Sequence, residues 1–146
     1  MKRVLFICTG NYYRSRFAEE LFNALASDAH AAWQADSRGL LQGNQSGNIG
    51  PIASVTQEAL AARGIKLSLP IRFPKKLVED DLFRADRIIA LNEKEHRPLI
   101  AYLFPDWTEK VEYWKIGDMD VLAPQEGILQ IEQHVKELFH ALTAAS

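Results

Sequence analysis

The sequence predicts an α/β protein, a four-stranded parallel sheet with helices on both faces. Three observations carry that expectation. Short apolar runs alternate four times with stretches of helical periodicity. The first run, Arg3–Cys8, lacks clean polar/apolar alternation, as strands buried on both faces do. At 146 residues, with 47% hydrophobic and 25% charged residues, the chain has the size and composition of one domain spanning 1–146.

Taken in order, Arg3-Val4-Leu5-Phe6-Ile7-Cys8 is the first strand, and Thr9-Gly10-Asn11 turn the chain. A helix follows from about Ser15, where Phe17, Ala18, Leu21, Phe22 and Leu25 recur at spacings of three and four. Ala32 to Asp36 is the second strand, ending at Ser37-Arg38-Gly39, and Gln42 to Pro51 has the Gly, Asn, Gln and Ser content of an irregular loop. Ser54 with Gln57 has the form of a capping box, opening a helix from Val55 to about Arg63, with Gly64 suited to the left-handed position beyond its end.

Pro70 and Pro74 interrupt the chain before a short helix at Glu79–Phe83 and a strand at Arg87–Leu91. Asn92 with Glu95 forms a second capping-box pattern, opening a helix to about Tyr102 that Pro105 closes. Val111–Ile116 is the last strand, Gly117–Pro124 a loop, and Glu126 to about Leu142 a helix with Ile128, Ile131, Val135, Leu138 and Leu142 on one stripe. In such sheets ligands bind outside the carboxyl ends of the strands, where strand order reverses. Cys8 and the loop from Gly117 both leave carboxyl ends.

Charge and cysteine count narrow the function classes. A net charge of −2 gives no basic excess for nucleic acid. Val4-Leu5-Phe6-Ile7 is too short for a signal segment, and no stretch approaches the ~18 apolar residues of a membrane span, so the expectation is a cytoplasmic protein with no membrane or nucleic-acid partner. One cysteine, Cys8, excludes an internal disulfide and a multi-thiolate metal site. His30, His96, His134 and His140 show no ligand spacing, so no metal and no cofactor are expected; they read as surface or hydrogen-bonded histidines.

The chemistry concentrates in Cys8-Thr9-Gly10-Asn11-Tyr12-Tyr13-Arg14-Ser15. Between a strand and a helix, this loop can turn backbone N–H groups inward as an anion nest at the positive end of the helix dipole, with Gly10 supplying the unusual backbone angles. Arg14 adds a planar, bidentate grip on a tetrahedral oxyanion. The same field favours thiolate over thiol and makes Cys8 a nucleophile. Ser15 is placed to donate to the thiolate, or to cap the helix. Tyr12 and Tyr13 either wall the pocket or pack into the core.

At these residues the sequence resembles the low-molecular-weight protein tyrosine phosphatase family, whose signature is cysteine, five residues, arginine and then serine or threonine near the amino terminus. Gly10-Asn11, Ala18-Glu19, Asp36-Ser37 with Gly39, Asn48-Ile49-Gly50, Gly64-Ile65, Asp86-Arg87-Ile88-Ile89 and Trp114-Lys115-Ile116 extend the likeness over almost the whole chain. The resemblance implies cofactor-free phosphomonoester hydrolysis through a cysteinyl-phosphate. Cys8, Arg14 and Asp118 would be catalytic; Thr9, Gly10, Asn11, Tyr12, Tyr13 and Ser15 would form the substrate loop; Ser37 would support it, with Asn11 and Ser37 making structural hydrogen bonds around the loop. Its substrates would be a phosphorylated protein or a small phosphomonoester.

Several departures accompany the likeness. The family's general acid is an aspartate followed by proline; here Ile116-Gly117-Asp118-Met119-Asp120 makes Asp118 the match by position and Asp120 its neighbour and rival, without the proline. Many relatives carry a second cysteine where Tyr13 stands, a histidine in the stretch held here by Ile71-Arg72-Phe73, and a small residue in place of Arg38. Two rival functions keep the fold: a phosphate-binding module without catalysis, and an arsenate reductase that borrows an external thiol. Trp33, Trp107 and Trp114 read as core, with Trp107, flanked by Asp106 and Thr108, the most exposed of the three.

Overall fold

A computed structural model describes residues 1–41, 50–116 and 123–144. The elements run β1 (Lys2–Cys8), α1 (Arg14–Asp28), β2 (Trp33–Gly39), α2 (Ser54–Ala62), α3 (Glu79–Arg84), β3 (Arg87–Ala90), α4 (Glu93–Leu103), a 3-10 turn at Pro105–Trp107, β4 (Glu112–Tyr113) and α5 (Pro124–Ala144). The strands form one parallel sheet in the order β2-β1-β3-β4. The chain steps from β1 to one side and returns for β3 on the other, so strand order reverses at β1, beside Cys8.

The missing alternation in the first strand has a direct structural cause. Val4 and Phe6 face a core built with Phe17, Leu21 and Phe22 of α1, Leu60 of α2 and Ile131 and Val135 of α5. Leu5 and Ile7 face a second core with Leu82 of α3, Ile100 of α4 and Trp107. From Val4 to Cys8 neither face of β1 meets water, so neither tolerates polar residues. The apolar stripe of α5 is buried as expected, and Gly64 takes φ +72° just past α2.

Four expectations change. Ala53, not Ser54, is the N-cap of α2, and no side chain caps it. The chain enters that helix tied to the Cys8 loop instead: Ala53 N donates to Tyr12 O (2.9 Å), and Thr56 Oγ1 donates to Tyr13 O (3.0 Å). The last strand shrinks to Glu112–Tyr113 because its neighbour β3 ends at Ala90, where Asn92 begins α4. Residues 114–116 follow that bend through Trp114 N to Ala90 O and Ile116 N to Leu91 O, both 2.9 Å.

The second strand reaches Gly39, beyond Asp36, in full register with β1 to Cys8. Trp107 is buried, not exposed. The Phe83 ring stands edge-on to it at 5.0 Å, and its indole N–H donates to Glu79 Oε2 at 3.1 Å. Asn48 and Ile49, and most of the expected loop at 42–51, lie outside the described residues.

Candidate active site

The first strand delivers Cys8 to the carboxyl edge of the sheet, and α1 begins six residues later at Arg14. The intervening loop is held against β2: Leu40 N donates to Cys8 O (3.0 Å) and Leu41 N to Thr9 O (2.8 Å). Its approach to β2 requires a glycine. A Cβ on Gly39 would meet Gly10 C at 2.9 Å and both Asn11 N and Thr9 O at 3.0 Å, all backbone atoms. The left-handed residue of the loop is Asn11 (φ 51°), not Gly10 as expected. Asparagine tolerates that conformation better than most side chains.

Two hydrogen-bond networks meet this loop, one from each side. On the β2 side, Cys8 Sγ lies 2.9 Å from Ser15 Oγ. Asn11, fully buried, donates through Nδ2 to Ser15 Oγ and to Ser37 Oγ, both at 2.8 Å. Its Oδ1 accepts from Arg72 Nη1 and Lys75 N, both at 3.0 Å. Arg72 Nη2 also donates to Glu19 Oε1 (2.8 Å) and Ser37 Oγ (2.9 Å), while Ser37 Oγ donates to Glu19. Arg72 thus fills the stretch where a histidine was expected from the family. Burying so many polar groups is tolerable because each has partners.

On the β3 side, Arg14 is buried to 2% exposure and donates from Nη2 to Glu95 Oε2 at 2.7 Å and from Nη1 to Ile116 O at 3.3 Å. Glu95 Oε2 also accepts from Thr9 Oγ1 and lies 3.0 Å from His96 Nε2. His96 has no exposed surface; its Nδ1 accepts the Asn92 N–H at 3.0 Å, which places the ring hydrogen on Nε2, facing Glu95 and, at 3.2 Å, Thr9 Oγ1. Burial acts to raise the Glu95 pKa, but hydrogen bonds from His96, Arg14 and Thr9 outweigh it and hold the carboxyl well below the usual carboxylate range.

Cys8, Thr9, Gly10, Asn11, Arg14, Ser15 and Ser37 are therefore gathered at one edge of the sheet. Ser15 does not cap α1: Tyr13 is the N-cap, and the serine hydroxyl turns to the sulfur and to Asn11. Tyr13, considered for the pocket wall, packs its ring in the core at 4% exposure, and its hydroxyl donates to Pro124 O at 3.2 Å. The partly buried Tyr12 packs against the same core. Arg38 turns away to pair with Asp36 (2.7 Å) and Asp81 (3.2 Å). Asp118 and Asp120 lie outside the described residues.

Sequence reasoning missed Glu95 as part of the site. It assigned that side chain to a capping box, and only half of the box forms: Asn92 Oδ1 accepts from Glu95 N at 3.0 Å, while the Glu95 carboxylate turns away to Thr9 and Arg14. The only signal in the sequence was a carboxylate just after the carboxyl end of β3. Arg16 was also missed. Buried in the first turn of α1, it donates to Pro51 O at 2.8 Å and steadies the approach to α2. Burial and the neighbouring Arg72 charge lower its pKa. Among the described residues, no helix is long and apolar enough to cross a membrane.

Comparisons with known proteins agree with this architecture. The chain is 30% identical over 138 residues to a protein-arginine-phosphatase of Bacillus subtilis (strain 168), covering 92% of this chain and 87% of that one. It superposes on a low molecular weight protein tyrosine phosphatase from T. tengcongensis with a TM-score of 0.79 and 25% identity, covering 97% of this chain and 99% of that one. On YfkJ from Bacillus subtilis the TM-score is 0.83 with 26% identity, covering 100% and 97%. The family model for low molecular weight phosphotyrosine protein phosphatase matches residues 3–145. With the cysteine loop, the parallel sheet and that match in agreement, the chain belongs to the low molecular weight phosphotyrosine protein phosphatase family, and it is a phosphatase.

Proposed function

We propose that the chain is one catalytic domain that hydrolyses phosphomonoesters through a cysteinyl-phosphate at Cys8. The observation that carries this reading is the Cys8 sulfur 2.9 Å from the Ser15 hydroxyl, in a loop closed by the buried Arg14. Asn11 donates to Ser15 Oγ, so the serine proton is available to the sulfur, the direction that a thiolate requires.

In the first step the thiolate attacks phosphorus in line; the S–P bond forms, and the bond to the leaving oxygen breaks. Loop N–H groups and Arg14 hold the nonbridging oxygens. Asp118 protonates the leaving oxygen. In the second step water attacks phosphorus, Asp118 takes its proton, and the S–P bond breaks to return a thiolate that Ser15 stabilises. Asp118 is assigned from the sequence, as the family's acid by position, two residues after Ile116, whose carbonyl accepts from Arg14. Asp120 is the alternative acid.

The expected test result is turnover of p-nitrophenyl phosphate by the wild type, blocked by vanadate and abolished in Cys8→Ser. Phosphate binding without release of p-nitrophenol would point to a binding module, and arsenite formation with an added thiol to a reductase. For the natural substrate, the family model supports phosphotyrosine or another aryl phosphate on a protein. A second reading, phosphoarginine on a protein, rests on the likeness to the Bacillus subtilis protein-arginine-phosphatase. The ratio of kcat/KM on matched phosphotyrosine and phosphoarginine peptides decides between them.

A further inference from the structure

We propose that Glu95 is a positioning residue of the phosphate loop, aligning Arg14 for the transition state at the expense of affinity for the resting anion. This rests on the phosphatase reading above and deepens it.

The geometry is unusual for a plain ion pair. One carboxylate oxygen, Oε2, serves donors from both ends of the loop: Thr9, next to the nucleophile, and Arg14, its last residue. A third donor, His96 Nε2, fixes that oxygen from inside the protein, and the Asn92 backbone N–H fixes the His96 ring in turn. Glu95 itself is held at the start of α4 by its own N–H on Asn92 Oδ1. The Ile116 carbonyl grips the guanidinium at a second point. Thus Arg14 is held relative to Cys8 by α4 and by the segment after β4, outside the loop itself.

The same carboxylate is an anion beside an anion-binding site. Its charge opposes a phosphate dianion approaching Arg14, and it shares the guanidinium with that ligand. An interaction that weakens ground-state binding yet fixes a transition-state donor favours kcat over tight binding. A merely structural carboxylate has no such signature, because its loss loosens the loop and weakens every ligand together.

The test compares wild type, Glu95→Gln and Glu93→Gln on p-nitrophenyl phosphate, with inorganic phosphate as competitive inhibitor and thermal melting as a check on folding. Glu93 is on the same helix but pairs with Arg97 on the surface, and its variant is expected to match wild type. For Glu95→Gln, kcat is expected to fall about tenfold, because a small misplacement of a catalytic group costs that much or more, while the inhibition constant for phosphate stays level or drops. A kcat within twofold of wild type overturns the proposal, as does a phosphate inhibition constant more than twofold higher. Should Glu95→Gln fail to fold, Glu95→Asp is judged by the same two criteria, since it keeps the charge but draws the carboxylate back from Arg14. No turnover by the wild type would instead overturn the phosphatase reading.

Discussion

The two sides of the phosphate loop are built on different principles. On the β2 side, Asn11 is an interior junction with all its hydrogen-bonding capacity used, joining Ser15, Ser37, Arg72 and the Lys75 backbone. On the β3 side a carboxylate, a guanidinium and an imidazole meet at one oxygen, and the side chain that bears it is a third exposed. In the function proposed here, the first side sets the shape of the loop and the state of the nucleophile, and the second aims the charge that meets the substrate.

Breaking the β2 side is expected to produce the largest effect, on stability and activity together. Asn11→Ala strands buried partners and places a Cβ-bearing residue without a compensating side chain at φ 51°. Unpaired buried groups cost ~1–3 kcal/mol each. Urea unfolding is expected to show a loss of about 2–4 kcal/mol, and p-nitrophenyl phosphate turnover a fall of about a hundredfold. Turnover within threefold of wild type would show that the nucleophile does not depend on this side.

Gly39→Ala probes the contact between the loop and β2 without removing a hydrogen-bonding group. The added methyl meets backbone on three sides, so the expected destabilisation is ~1–3 kcal/mol, as for overpacked interiors, with turnover falling as the loop is pushed outward. Unchanged melting and turnover would mean that the loop has slack the geometry does not show.

The smallest effect on stability belongs to the β3 side and takes the form of a pH dependence. Because the folded Glu95 carboxyl titrates below its unfolded value, its ionised form favours the folded state. That contribution is complete above the unfolded pKa of about 4.3 and is lost as pH falls toward the folded value. Melting curves of wild type and Glu95→Gln are therefore expected to differ at neutral pH and to converge in acid below about pH 4. Parallel curves across that range would remove the charge from the account.

The same contrast explains what could be read from the residues alone. The β2 side was legible because Cys8, Asn11 and Ser15 fall within one eight-residue motif, and Ser37 lies near the end of the neighbouring strand. The fold was legible because β1 is apolar on both faces and α5 has a clear stripe, which are local patterns with one structural solution. Glu95 was not legible as a site residue: three positions after Asn92 it satisfies a helix-start pattern, and its actual partners, Thr9 and Arg14, are 86 and 81 positions away. Long-range charge pairing leaves no periodic trace. Gly10 and Asn11 show a finer failure, since both suit a left-handed turn and it is Asn11, its side chain held by Ser15, Ser37, Arg72 and Lys75, that adopts it.

Tyr13 stands where many relatives carry a second thiol, and its ring is now part of the interior, anchored by its hydroxyl to the start of α5. Exchanging it for cysteine would leave a void where an aromatic ring had packed, a change that in buried sites costs ~3–5 kcal/mol when the ring is cut back to a methyl group. A mutational path toward a self-repairing sulfur therefore passes through a much less stable intermediate, unless neighbours refill the space first. With no other cysteine in the sequence, a Cys8 sulfenic acid has to be reduced by a thiol from another molecule. The recovery of this enzyme after an oxidative pulse would then track the supply of small thiols around it, an environmental dependence written into one aromatic side chain.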